Sequence, residues 1–304
     1  SLSLVQSIGK FGVDFFFILS GFIISYTAYL KKNEPKAFSN YVKNRLVRIY
    51  VPYLPIGVLM FLLYTYFPAF SNGSRAISTL TSFTLLPHGN PALSVAWTLS
   101  YEIIFYILFS VYFISNRFWQ ILSFSWVSLI IYFNWMFKSA LPDVSIVKHL
   151  LSVYNLEFIL GTILSFFILK NYRLNFYFVV FMVVFLGSLF FMTYALDLEF
   201  LFGFYPNFVF SLFCFFLIYL SIAYRNIKIN KNNLWMLIGN ATFSIYLLHN
   251  TIQMIIVRLF PKIQLEVGVL LMLLSCLTIS CVCGYIYYLI FEVRMTKLVK
   301  KKLK

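Results

Sequence analysis

Long apolar runs separated by short polar connections are the feature that most constrains how this chain can fold. A helix needs about 20 apolar residues to cross the hydrocarbon core of a bilayer, and runs of that length recur along the whole sequence. The 304 residues are 62% hydrophobic and 11% charged, with a mean hydropathy of +0.88, a composition foreign to soluble domains of this size. The sequence therefore predicts an all-α, polytopic transmembrane helix bundle.

Nine segments are predicted to span the membrane. They are 11–30, 50–68, 94–115, 118–137, 150–169, 174–194, 205–224, 235–257 and 266–290. The connection 69–93 is rich in Pro, Gly and Asn, which predicts a structured loop rather than a helix. The bundle is expected to form a single integral-membrane domain over 1–304, with no appended soluble domain.

The distribution of basic residues predicts the orientation of the spans. Of the 24 Lys and Arg residues, 18 fall on one side of the predicted bundle and 6 on the other. The positive-inside rule assigns the richer side, which includes the C-terminus, to the cytoplasm. With nine spans, Ser1 would then lie outside, so an intact protein with a cytoplasmic start is expected to have a tenth span before Ser1. The sequence is interpreted as lacking that first helix.

The positive charge has a second consequence for the partners that the chain can bind. The formal net charge is +15, but the basic residues lie in short loops and the C-terminal tail. This pattern is typical of contact with membrane lipid and unlike a nucleic-acid-binding face. The four cysteines lie within apolar runs and match no zinc spacing, so neither a metal site nor a bound cofactor is predicted.

Four ionisable residues lie inside predicted spans and are expected in the outer half of the bilayer: Asp14, Glu102, Glu157 and His249. A carboxylate at such a depth is costly unless it has a partner or a cavity. Two polar stripes at helical spacing favour a pocket that opens outward. They comprise Thr98, Glu102, Tyr106 and Ser110 on the third span, and Thr242, Tyr246, His249 and Gln253 on the eighth. The alternative is a set of structural hydrogen bonds between helices.

A basic amphipathic segment, 38–53, precedes the second span. Its apolar face predicts a helix lying in the membrane interface and turning into the bilayer at Pro52. Arg45 and Arg48 are spaced to clamp phosphate oxygens. The alternative is a lipid-binding segment that only sets the topology.

Six stretches in a fixed order resemble the motifs of one family, the acyltransferase-3 group of bacterial membrane O-acyltransferases. The stretches are GKFGVDFFFILSGFII (9–24), YVKNRLVRIYVPY (41–53), AWTLSYEIIFYILF (96–109), LEFILGTIL (156–164), IGNATFSIYLLH (238–249) and YLIFE (288–292). The third is similar to the form found in exopolysaccharide acetyltransferases. The resemblance covers nearly the whole chain.

The resemblance implies transfer of an acyl group, most often acetyl, from cytoplasmic acyl-CoA to a carbohydrate hydroxyl. The acceptor would be a surface polysaccharide such as exopolysaccharide or O-antigen, or its lipid-linked precursor, and the enzyme would lie in the bacterial cytoplasmic membrane. By position in the motifs, Arg45 and Arg48 would bind the donor, and Glu102 and His249 would take part in catalysis. The expected acceptor pocket comprises Asp14, Ser20, Trp97, Tyr106, Glu157 and Tyr246.

The sequence departs from the family pattern at one place. The leading catalytic candidate of the family is a histidine that follows a basic residue in the first helix, which would precede Ser1. Two alternatives therefore stay open beside an active enzyme. One is a transporter of polysaccharide or lipid-linked sugar, although no internal repeat supports it. The other is a truncated, non-catalytic homologue that binds glycan without turnover.

Overall fold

A computed structural model of the chain describes residues 2–67, 76–136, 145–195, 205–224, 233–259 and 266–303. Within those ranges the secondary structure is helical, apart from an isolated bridge between Ile77 and Asn90. The helices are α1 (Leu2–Lys31), α2 (Ala37–Tyr66), α3 (Thr79–Thr84), α4 (Trp97–Phe109), α5 (Asn116–Ile131), α6 (Ser145–Leu150), α7 (Tyr154–Leu169), α8 (Phe176–Ala195), α9 (Tyr205–Ala223), α10 (Leu234–Leu259), α11 (Glu266–Tyr287) and α12 (Val293–Lys302).

All nine predicted spans fall on helices. Six segments of the described chain are long and apolar enough to cross a membrane: Phe11–Lys31, Ala37–Tyr66, Ser94–Phe113, Ser145–Leu169, Phe176–Thr193 and Leu271–Lys302. The other three predicted spans coincide with α5, α9 and α10. The prediction of an all-α transmembrane bundle is confirmed.

The chain forms two compact units. Unit 1 comprises Ser1–Phe38 and Ile104–Ile227, and unit 2 comprises Ser39–Ile103 and Lys228–Lys304. Each unit therefore joins an N-terminal segment to a later one, so its core depends on pairing between helices that are distant in sequence.

Unit 1 is organised around the crossing of α1 and α7. A Cβ atom added at Gly21 would lie 2.2 Å from the carbonyl oxygen of Phe158, and one added at Gly161 would lie 2.1 Å from that of Ile18. The two backbones are thus in direct contact, as small residues allow between helices in a membrane. The Ser25 and Thr162 hydroxyls hydrogen-bond at 2.9 Å across the same pair. Helices α8 and α9 complete the unit with a core that includes Leu164, Val179 and Tyr219.

In unit 2, α2 is one helix from Ala37 to Tyr66 with Pro52 and Pro55 inside it. The prediction of an interfacial helix that turns at Pro52 is therefore wrong. Proline is tolerated within membrane helices. Beside it, the Tyr287 hydroxyl donates to the Pro52 carbonyl at 2.8 Å, which joins the last span to α2. Arg45 and Arg48 consequently lie on the spanning helix itself.

The described part of the loop between α2 and α4 folds back along α2. The Tyr53 hydroxyl donates to the Ser82 carbonyl at 2.6 Å, and the Tyr50 hydroxyl donates to the Thr84 carbonyl at 2.5 Å. Tyr53 is 13 residues before the end of α2, which corresponds to about 20 Å along the helix axis. The loop prediction for 76–93 is partly wrong, because Thr79–Thr84 forms helix α3, and 68–75 lies outside the described residues. As a result, α4 begins beside the middle of α2 rather than beside its end.

Candidate active site

Glu102 is a buried acid of unit 2. It lies on α4 with only 3% of its surface exposed. The apolar character of α4 alone would forbid a bare carboxylate there, and the structure supplies polar neighbours. The Tyr41 phenol of α2 and the Tyr246 phenol of α10 both lie within electrostatic range of the Glu102 carboxylate.

Arg45 lies near the same tyrosine. Its guanidinium carbon is 5.9 Å from the centroid of the Tyr41 ring, within the range of a cation–π contact. Tyr41 is thus flanked by a basic group and by the Glu102 carboxylate. The sequence predicted Arg45 and Glu102 towards opposite membrane faces, whereas in the structure both lie within electrostatic range of the same phenol. The folded-back loop brings the start of α4 beside the middle of α2, so that Glu102 comes near the basic end of α2.

The polar face of α4 is held against α10 by a short network. The Thr98 and Tyr246 hydroxyls hydrogen-bond at 2.6 Å, and the Tyr246 hydroxyl also donates to the Val95 carbonyl at 2.9 Å. One turn further along α10, Asn250 donates to Ser94. These contacts fix the N-terminal part of α4, which carries Glu102, because the Tyr246, Asn250 and Ser94 side chains would lose these bonds if the two helices slid past each other.

His249 lies one turn after Tyr246 on α10 and is half-buried. Its Nδ1 is 2.6 Å from the Tyr246 carbonyl oxygen. Since a carbonyl can only accept a hydrogen bond, Nδ1 carries the proton and Nε2 holds the lone pair of the neutral ring. This tautomer suits a proton acceptor at Nε2. The stripe predicted on this helix is partly wrong, because Thr242 is exposed and its hydroxyl bonds to the carbonyl of Gly239 at 2.8 Å on its own helix.

Arg48 has a different environment from Arg45. Its guanidinium lies within electrostatic range of the Glu292 carboxylate, which also accepts a hydrogen bond from Ser244. Tyr41, Ser244 and Glu292 lie in three of the family-like motifs, but the sequence predicted no role for them. The signal was present, because each is a polar residue in a quoted motif. What sequence could not show is that the three motifs meet.

The remaining predicted pocket residues fall in both units. Asp14, Ser20, Tyr106 and Glu157 are buried in unit 1, and Trp97 and Tyr246 belong to unit 2. Within unit 1 the Asp14 and Glu157 carboxyl groups hydrogen-bond to each other, and the Ser211 hydroxyl donates to Glu157 Oε1 at 3.2 Å. A bond between two carboxyl groups requires a proton on one of them. The buried Glu157 Oε2 atom has no hydrogen-bond partner among the described residues, and the role of Asp14 and Glu157 at an acceptor stays a prediction.

Comparison with known proteins agrees with the motifs. A family model described as an acyltransferase domain (Acyl_transf_3) matches residues 1–289. The chain belongs to the acyltransferase-3 family. No curated protein and no solved structure matches it. Family membership makes the chain a membrane acyltransferase, and the acyltransferase-3 motifs that contain Tyr41, Glu102, Tyr246 and Glu292 all contribute side chains to unit 2.

Proposed function

We propose that this acyltransferase transfers an acyl group, with acetyl the expected one, from cytoplasmic acyl-CoA to a hydroxyl of a cell-surface polysaccharide or its lipid-linked precursor. The enzyme would lie in the bacterial cytoplasmic membrane with its C-terminus in the cytoplasm. The proposal rests on one observation: the Arg45 guanidinium and the Glu102 carboxylate both lie near the Tyr41 side chain. A guanidinium suited to phosphate and a carboxylate suited to a hydroxyl would thus share one site.

The reaction assigns a separate task to each group. The acceptor hydroxyl oxygen attacks the carbonyl carbon of the thioester, a C–O bond forms, the C–S bond breaks, and the CoA thiolate takes up a proton as it leaves. The proton of the hydroxyl passes to a base. Within unit 2, Glu102 and the Nε2 atom of His249 are the described candidates for that base. We assign the proton to Glu102 and a supporting role to His249.

Tyr41 links donor and acceptor in this scheme. Its ring supports the Arg45 guanidinium, which would bind the phosphates of the donor. Its phenol lies within electrostatic range of Glu102, which would receive the acceptor hydroxyl. A donor bound at Arg45 would therefore bring its thioester towards the carboxylate, so that binding also supplies proximity.

Replacing Arg45 by Gln tests the donor site. We expect the KM for acyl-CoA to rise about tenfold or more, because a charge-assisted contact to phosphate is lost. The measurement is transfer of labelled acetyl from acetyl-CoA to glycan in membrane vesicles that contain the protein. Arg117→Gln is the matched control, since Arg117 is exposed at the start of α5.

The same assay separates the alternatives. A wild-type protein that binds glycan but transfers no acetyl would be a non-catalytic homologue, and one that moves glycan across the membrane without modifying it would be a transporter. Either result contradicts the proposed reaction. An unchanged KM in a well-expressed Arg45→Gln variant would remove Arg45 from the donor site and leave the reaction in place.

A further inference from the structure

The last span of unit 2 contains a π-helical turn at Tyr288–Glu292, between α11 and α12. A π-turn inserts an extra residue into a helix and rotates the side chains that follow it, and such turns are frequent at functional sites. The residue that ends this turn is Glu292. Its carboxylate accepts the hydrogen bond from Ser244 on α10. The π-turn therefore places the Glu292 side chain against α10.

The crossing of α10 and α11 holds Ser244 in place. A Cβ atom added at Gly284 would lie 2.6 Å from the Cα atom of Ile245, so the two backbones touch. Ile245 is adjacent to Ser244. Because backbones in contact cannot slide without a clash, the register that places Ser244 opposite Glu292 is set by packing.

The same helix is attached to α2 on both sides of Arg48. The Tyr287 hydroxyl donates to the Pro52 carbonyl at 2.8 Å, one turn after Arg48. Lys43 donates through Nζ to the Leu303 carbonyl at 2.8 Å, more than one turn before it. Arg48 is exposed, so its long side chain has rotamer freedom that a fixed acid nearby can restrict.

We propose that Glu292 is a positioning residue, which Ser244 holds in place and which orients the Arg48 guanidinium towards the phosphates of the donor. This inference rests on the proposed function, since it gives the second arginine of the donor site its orienting partner. Glu292 itself touches no reacting atom in this scheme. Its effect is on the affinity for the donor, because a guanidinium already oriented loses less freedom when phosphate binds.

The test is the kinetic effect of Glu292→Gln, which removes the charge and keeps the size. We expect the KM for acetyl-CoA to rise about fivefold with kcat little changed, the pattern of lost ground-state binding. Arg48→Gln is expected to raise the KM more, and the double variant is expected to match Arg48→Gln, since residues acting through one interaction are not additive.

Glu34→Gln is the matched control, because it makes the same carboxylate-to-amide change at an exposed acid in the connection between α1 and α2. It is expected to leave the KM for acetyl-CoA unchanged. A fall in KM in Glu292→Gln would show that Glu292 competes with phosphate for Arg48 and would overturn the proposal, as would full additivity in the double variant. A wild-type protein with no acetyl-CoA-dependent transfer would instead contradict the proposed function.

Discussion

Replacing Glu102 by Gln is expected to lower kcat for acyl transfer by about 10²- to 10⁴-fold, the range typical of a lost general base. Gln keeps the size and the hydrogen-bonding ability of the side chain but cannot accept the proton of the acceptor hydroxyl. The side chain is 3% exposed and is flanked by the Tyr41 and Tyr246 phenols. Water therefore has little access to replace the lost base.

The measurement is the initial rate of acetyl transfer at saturating acetyl-CoA, with protein amount checked in the same membranes. Glu34→Gln is the matched control, because Glu34 is exposed in the connection between α1 and α2. His249→Gln is the informative comparison. A larger loss in His249→Gln than in Glu102→Gln would transfer the role of base to His249, and an unaffected kcat in Glu102→Gln would contradict our assignment.

The second large effect concerns stability. Gly21→Ala is expected to destabilise unit 1 by about 3 kcal/mol, at the upper end of the usual cost of overpacking. The added Cβ would lie 2.2 Å from the Phe158 carbonyl oxygen and 2.9 Å from its Cα atom. These are backbone atoms, so α1 and α7 must separate, and the neighbouring contact of Gly161 with Ile18 would be lost with them.

Thermal unfolding of the purified protein in detergent measures this effect. Gly12→Ala provides a control on the same helix, since a Cβ atom at Gly12 meets nothing within 4 Å. The control is expected to unfold at or slightly above the wild-type temperature, because Ala has the higher helix propensity. Equal unfolding temperatures for Gly21→Ala and the wild type would contradict the backbone contact between α1 and α7.

Much of the architecture could be predicted from the sequence because it depends on local composition. In lipid, each span must satisfy its own backbone hydrogen bonds, so a sufficiently long apolar run becomes a helix wherever it later packs. This is why all nine predicted spans are helical. The motifs likewise identified the family, because the order and spacing of residues such as Arg45, Glu102 and His249 are properties of the chain alone.

The arrangement of the candidate site could not be predicted in the same way. The depth of Glu102 was counted from the end of its own span, whereas its surroundings depend on how far 76–93 folds back along α2. That distance is set by bonds from Tyr50 and Tyr53 to carbonyl groups some 30 positions away in the chain. No local pattern encodes such pairings, since a buried tyrosine needs a partner but does not specify which one.

The sequence by itself therefore determined the class of fold, the helices and the family of this protein. Tertiary structure alone decided that Arg45 and Glu102 both lie within electrostatic range of Tyr41, that Arg48 lies within electrostatic range of Glu292, and that Asp14 and Glu157 form a buried pair. The physical reason is that the two properties depend on different contacts. A span satisfies its backbone hydrogen bonds within its own segment, whereas a buried charged side chain is stable only where another helix supplies a partner.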